Sequence, residues 1–186
     1  GCQVDSELRW HLIQALAASG RVDESRIAEE LDTDATETGQ RSADIARAAQ
    51  ATGDAKESAW DRFVNDADLS LSTMKELLKH FQLNQHPRDT SRLAVGGGSK
   101  QGPILEPFVD RFFKALESYC DKVPTERALA FATYAFPHQS VRPEVIEQTD
   151  DFLASGSLPE PVKRVLLEGK DSMSRALKAR SADSAA

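Results

Sequence analysis

The stretch Leu31-Asp32-Thr33-Asp34-Ala35-Thr36-Glu37-Thr38-Gly39-Gln40-Arg41, continued by an alanine-rich run to Lys56-Glu57-Ser58-Ala59-Trp60 and on to Phe63, sets the fold class. Asp34 and Glu37 stand at capping-box spacing, in which each side chain reaches the backbone N–H of the other's turn, so a helix is expected to start there. Alanine has the highest intrinsic helix propensity, and the run continues to near Gly53. Asp54 and Glu57 repeat the spacing and open a second helix that carries Trp60, Phe63 and Val64 toward a core. Two helices joined by so short a connection run antiparallel. The expectation from this stretch is an all-α fold.

The same punctuation recurs on both sides. Upstream, a helix from Ser6 to Ser19 carries Leu8, Leu12 and Leu16 on one apolar face with Ile13 beside them, and Gly20 is placed to end it in a left-handed turn. Asp23 caps the next helix, and Val22 and Ile27 have the spacing of a hydrophobic staple. Downstream, a fifth helix starts near Ser70, with Leu69 and Met74 as a second staple and Leu77, Leu78 and Phe81 on its apolar side. From 83 to 102 the sequence is polar and aperiodic, with Gly96-Gly97-Gly98-Ser99 toward its end, and is expected to form a long flexible loop.

Pro103 or Pro107 opens the sixth helix, whose Leu105, Phe108, Val109, Phe112, Phe113 and Leu116 make the richest apolar face of the chain. Pro124 fits the first turn of the seventh and Pro143 that of the eighth. The ninth follows Pro159 and Pro161, with Val162, Leu166, Met173 and Leu177 in one stripe, and is expected to stop near Arg180 before a disordered tail, 181–186. About nine helices in antiparallel pairs predict a HEAT- or armadillo-like superhelical stack, forming one helical-repeat domain over 1–180.

Composition narrows the function classes. With 40% hydrophobic and 28% charged residues the chain is too apolar to be disordered. A net charge of -7 and a pI near 5.2 oppose a nucleic-acid surface, because phosphate contacts need a basic field. No apolar run approaches the roughly 18 residues that span a bilayer, so neither nucleic acid nor membrane is an expected partner, and a cytoplasmic location is expected. The start Gly1-Cys2, without Met, reads as an excised segment, and Cys2 and Cys120 read as free thiols.

A zinc peptidase needs H-E-x-x-H, two histidines one helical turn apart with a glutamate between them, and that motif does not occur. His11, His80, His86 and His138 lie in separate contexts. There is no G-x-S-x-G, and Gly96 to Lys100 lacks the order of a phosphate loop. Glu29-Glu30 and Asp150-Asp151 read as solvated faces of an acidic protein. No catalytic or metal-ligating residue is therefore assigned. Arg41, Arg47 and Lys56 stand out on helices otherwise rich in alanine. Pairing with nearby acids is one reading of them; contact with the carboxylate end or backbone of a peptide is the sharper one.

Several segments follow one another in a familiar order: Trp10, Leu16 and Gly20-Arg21; the Thr36-x-x-Gly39 turn; Lys56-x-x-x-Trp60; Pro107-Phe108-Val109-Asp110-Arg111-Phe112-Phe113; Leu158-Pro159 through Arg164; and Leu167-Glu168-Gly169-Lys170-Asp171 followed by Arg175-Ala176-Leu177. Together they resemble the C-terminal helical domain of bacterial zinc aminopeptidases of the aminopeptidase N type. The resemblance implies a bowl that caps a catalytic domain and encloses a cavity in which peptides bind. It also implies that the zinc, its ligands and the exopeptidase motif lie in earlier domains, with no cofactor in this chain. The implied partners are the catalytic domain of the same polypeptide and a peptide substrate. The long 83–102 stretch departs from the family pattern. The alternative is a free-standing helical-repeat module that grips a partner helix or peptide in its concave face. A small-ligand sensor domain of a transcriptional regulator is disfavoured by the lack of a basic helix-turn-helix segment.

Overall fold

The structure, a computed structural model, describes residues 5–82, 101–155 and 158–184, and among these all regular structure is helical. Contacts group them into two compact units that meet in sequence at Leu105 and Glu106. Of the stretch expected to be a long loop, 83–100 lies outside the described residues.

The first unit holds α1 (Ser6–Ala18), α2 (Glu24–Thr33), α3 (Glu37–Ala49), α4 (Gly53–Asn65), α5 (Leu71–Phe81) and the single turn α6 (Gly102–Leu105). Each short connection reverses the chain, so alternate helices share a direction. α1 packs on α3 and α3 on α5, while α2 and α4 also lie against α3. The alanine-rich helix is thus the hub. Ala43, Ala46, Ala48 and Ala49 are all buried, and their small side chains let four neighbours approach one backbone. Trp10, Ile13 and Ile27 pack on Ala43 and Ala46, with Val22 and Leu31 at the margin. A second apolar group joins α4 to α5, where Phe63 meets Phe81 edge to face at 5.3 Å.

Caps explain where these helices begin. Asp23 and Ser70 cap α2 and α5 as expected, and Gly20 turns at φ +68° after α1. Two expected caps are displaced. Thr36, not Asp34, caps α3, its Oγ1 accepting from Gly39 N at 3.0 Å; Thr52, not Asp54, caps α4. Asp34 is drawn away because Ser6 Oγ and Trp10 Nε1 of α1 donate to it at 2.5 and 2.9 Å. Gly39 is required here, since a Cβ would sit 2.0 Å from the Asp34 carbonyl oxygen. The apolar face expected of α1 is also displaced: Trp10, Ile13, Gln14 and Ala17 are buried, whereas Leu8, Leu12 and Leu16 are exposed.

Helix ends in this unit are closed by side chains from elsewhere. Gln101 Nε2 donates to the carbonyls of Ala18 and Ala49 at 2.7 and 3.0 Å, the last residues of α1 and α3. Lys56 Nζ donates to those of Ala48 and Phe81, both at 2.7 Å, near the ends of α3 and α5. These bonds satisfy carbonyls that have no intrahelical partner.

The second unit holds α7 (Pro107–Lys122), α8 (Thr125–Ala135), α9 (Pro143–Ser155) and α10 (Glu160–Ser184). α10 packs on α8 and α9, and α7 on the same two. Phe112 stacks on Phe131 at 5.8 Å and meets Phe136 edge to face, Phe113 meets Phe152, and Tyr119 lies 4.7 Å from Phe131. Gly169 faces the Phe136 ring so closely that a Cβ would come within 2.7 Å of it. α10 runs on to Ser184, four residues past the expected stop at Arg180.

Candidate functional site

A cavity of about 1150 Å³ in the first unit opens on the side where α1, α3 and α5 lie next to one another. Its lining follows from helical period. Residues three and four apart share a face, so α1 presents Glu7, Trp10, His11 and Gln14, α3 presents Thr38, Arg41, Ser42 and Ile45, and α5 presents Ser72, Lys75, Glu76 and His80. Capping also contributes: Ser6, Asp34 and Thr36 form one rim, tied together by Asp34. Hydroxyl donation from Ser6 and Thr36 and the indole N–H of Trp10 hold the Asp34 carboxyl down to about 2.

Apart from Trp10, Ile45 and Leu71 the lining is polar. Trp10 is buried and turns its N–H to Asp34, while Gln14 Nε2 donates to the Ser42 carbonyl at 3.3 Å, locking α1 to α3. Lys79 pairs with Glu76 at 2.6 Å, and His80 Nδ1 lies 2.8 Å from the Glu76 carbonyl. Arg41 is exposed at the cavity and has no ion-pair partner among the described residues. It also borders a neighbouring hollow of about 610 Å³, shared through Thr38 and Ser72. A guanidinium and an ammonium, Arg41 and Lys75, on adjacent helices of one cavity suit a carboxylate or the carbonyls of an extended chain. Among the described residues no group of three or more His, Cys, Asp or Glu is placed to hold a metal ion.

The three basic residues singled out in the sequence do not converge. Arg41 lines the cavity. Arg47, six residues on, is rotated by about 240° around α3 and points away. It donates to Glu24 at 2.9 Å and Asp44 at 3.3 Å, in an ion network that Arg62 joins through Asp44. Lys56 is wholly buried between its two helix-end carbonyls, with Nζ 5.0 Å from the centre of the Phe81 ring. Burial pushes its ammonium down to about 7. Lys75, His11 and Gln14 were missed because α1 and α5 were read for their apolar positions. The polar positions three and four apart on the same helices carried the signal.

Comparison with known proteins bears on the whole chain. The ERAP1-like C-terminal domain family matches residues 1–175. Aminopeptidase N of Streptomyces lividans is 32% identical over 186 residues, which is 100% of this chain and 20% of that protein. The chain therefore spans about a fifth of the length of that relative.

Proposed function

Because this chain belongs to the ERAP1-like C-terminal domain family, we propose that it is the non-catalytic C-terminal domain of a zinc metalloaminopeptidase that removes N-terminal residues from peptides. In this reading it caps the active-site cavity and contacts the tail of the peptide. The observation that carries it is identity to an aminopeptidase N along the entire chain. The α1, α3 and α5 face supports the finer part, since it offers an open cavity of about 1150 Å³ with Arg41 and Lys75 at its wall.

The division of labour follows from the chemistry. Zinc in such a peptidase polarises the scissile carbonyl and activates water, and the groups that hold it belong to the catalytic domain of the same polypeptide. What this segment's residues supply is position. Arg41 and Lys75 donate to carboxylate or carbonyl oxygens of the peptide beyond the scissile bond, Ile45 and Leu71 give its side chains an apolar surface, and the rim held by Asp34 keeps α1 and α3 in register. Binding energy remote from the reacting atoms of this kind acts on long substrates and leaves short ones unaffected. A cytoplasmic location belongs to the same reading.

The test uses the complete enzyme. Arg41→Ala is expected to raise KM for peptides long enough to reach the cavity by about fivefold, and to leave kcat and the hydrolysis of aminoacyl-arylamides unchanged. Equal effects on long and short substrates, or none on either, would overturn the contact. Release of amino acids by the isolated 186-residue chain would overturn the non-catalytic assignment.

A further inference from the structure

α1 is apolar on two sides, and only one of them is covered. Trp10, Ile13 and Ala17 are buried, on the side that meets α3. Leu8, Leu12 and Leu16, four residues apart, advance by only about 40° per step and form a second stripe, roughly 130° around the helix from the first. They are 48%, 52% and 37% exposed. Among the described residues four large apolar side chains are exposed, and three of them make this stripe, so the apolar exposure is concentrated here rather than scattered. Glu7 and His11 on one side and Arg9 on the other separate the two stripes, so the second needs a neighbour of its own to be covered.

The layer to which α1 belongs says where the missing neighbour sits. α5 packs on α3 and α3 on α1, so the leucine stripe lies where a further helix would extend the row. We propose that this face is the seat of an amphipathic helix from the polypeptide preceding α1 in the complete aminopeptidase, packed along Leu8, Leu12 and Leu16. The proposal rests on the functional reading above, which makes this chain the C-terminal part of a longer enzyme; about four fifths of the Streptomyces relative lies outside the matched segment. A tethered helix suits a seat of this size. Stable association of two separate copies takes roughly 800 Å² per partner, far more than three leucines on a 13-residue helix provide. A helix on the same chain needs less, because the tether raises its effective concentration.

Hydroxyl-radical footprinting of the complete polypeptide, read by mass spectrometry, tests this. Leu8, Leu12 and Leu16 are expected to be modified about tenfold more slowly in the folded enzyme than in the free proteolytic peptide that carries them. Modification at the free-peptide rate overturns the proposal, as does protection that disappears on dilution through a dimer-to-monomer transition, which would assign the face to a second copy. Leu12→Glu in the complete polypeptide is expected to speed amide exchange in α1 and in one segment preceding it; faster exchange in α1 alone overturns the proposal. Aminopeptidase activity of the same sample separates the two readings. Activity without protection sinks the helix seat alone, and protection without activity sinks the peptidase reading alone.

Discussion

The two compact units build their interiors by opposite means. In the first, the central helix is lined with Ala43, Ala46, Ala48 and Ala49, and the close approach they permit brings helix ends together. Exposed carbonyls then have to be met inside the protein, which is the task of Lys56 and Gln101. In the second, Phe112, Phe131, Phe136 and Tyr119 fill the space with rings. Small side chains shift the cost of a core from volume to polar satisfaction, so the first unit is vulnerable at its buried hydrogen bonds and the second at its packing.

That contrast can be broken most severely at Phe112. Phe112→Ala removes a ring in contact with three others and is expected to destabilise the protein by about 4 kcal/mol in urea unfolding. Ala43→Gly, by comparison, would leave only a small void in the first unit, and a loss as large as that of Phe112→Ala would erase the distinction.

Lys56 tests the polar side. Lys56→Ala leaves two helix-end carbonyls unmet in a buried site, and an expected loss of about 3 kcal/mol should appear in the same assay. Its pH dependence has a definite sign. With the native ammonium pushed from 10.5 down to about 7, the unfolded chain binds more protons between those values, so the Lys56 contribution to stability rises with pH across that window. Stability of the wild type relative to Lys56→Met should therefore increase from pH 7 to pH 10; a flat difference would show that the two carbonyls and the Phe81 ring cancel the effect of burial.

Smaller effects sharpen the picture. Gly169→Ala forces a methyl against Phe136 and is expected to cost about 2 kcal/mol, visible as a lower Tm, whereas the same change at exposed Gly53, where a Cβ meets nothing within 4 Å, should not destabilise. Thr36→Ala removes the α3 cap and is expected to cost about 1 kcal/mol. Asp54→Ala, at the cap position suggested by sequence spacing, should cost less than Thr52→Ala, because it is Thr52 Oγ1 that accepts from Ala55 N.

Much of this was legible in advance, for local reasons. Gly20, Asp23, Ser70 and Pro143 stand where they are expected, because caps and breakers act within a few residues of themselves. The Thr36-x-x-Gly39 turn was recognised as a family signature, although its cause, the Asp34 carbonyl against the Gly39 Cα, needed the fold. Asp34 and Thr36 are both competent caps two residues apart, and the choice between them was made by Ser6 and Trp10, 28 and 24 residues away.

The candidate site was less legible. Arg41, Arg47 and Lys56 look alike in an alanine-rich sequence, but one faces a cavity, one an ion network and one a buried pair of helix ends. α1 carries leucines on one side and Trp10, Ile13 and Ala17 on another, and periodicity ranks neither. The sequence by itself determined that this protein is helical, where most of its helices start and stop, and to which family it belongs, since propensity, caps and motifs are properties of short segments. Only the tertiary structure decided which face of each helix is covered and what each cation meets, because those depend on neighbours that the fold, not the chain, places beside them.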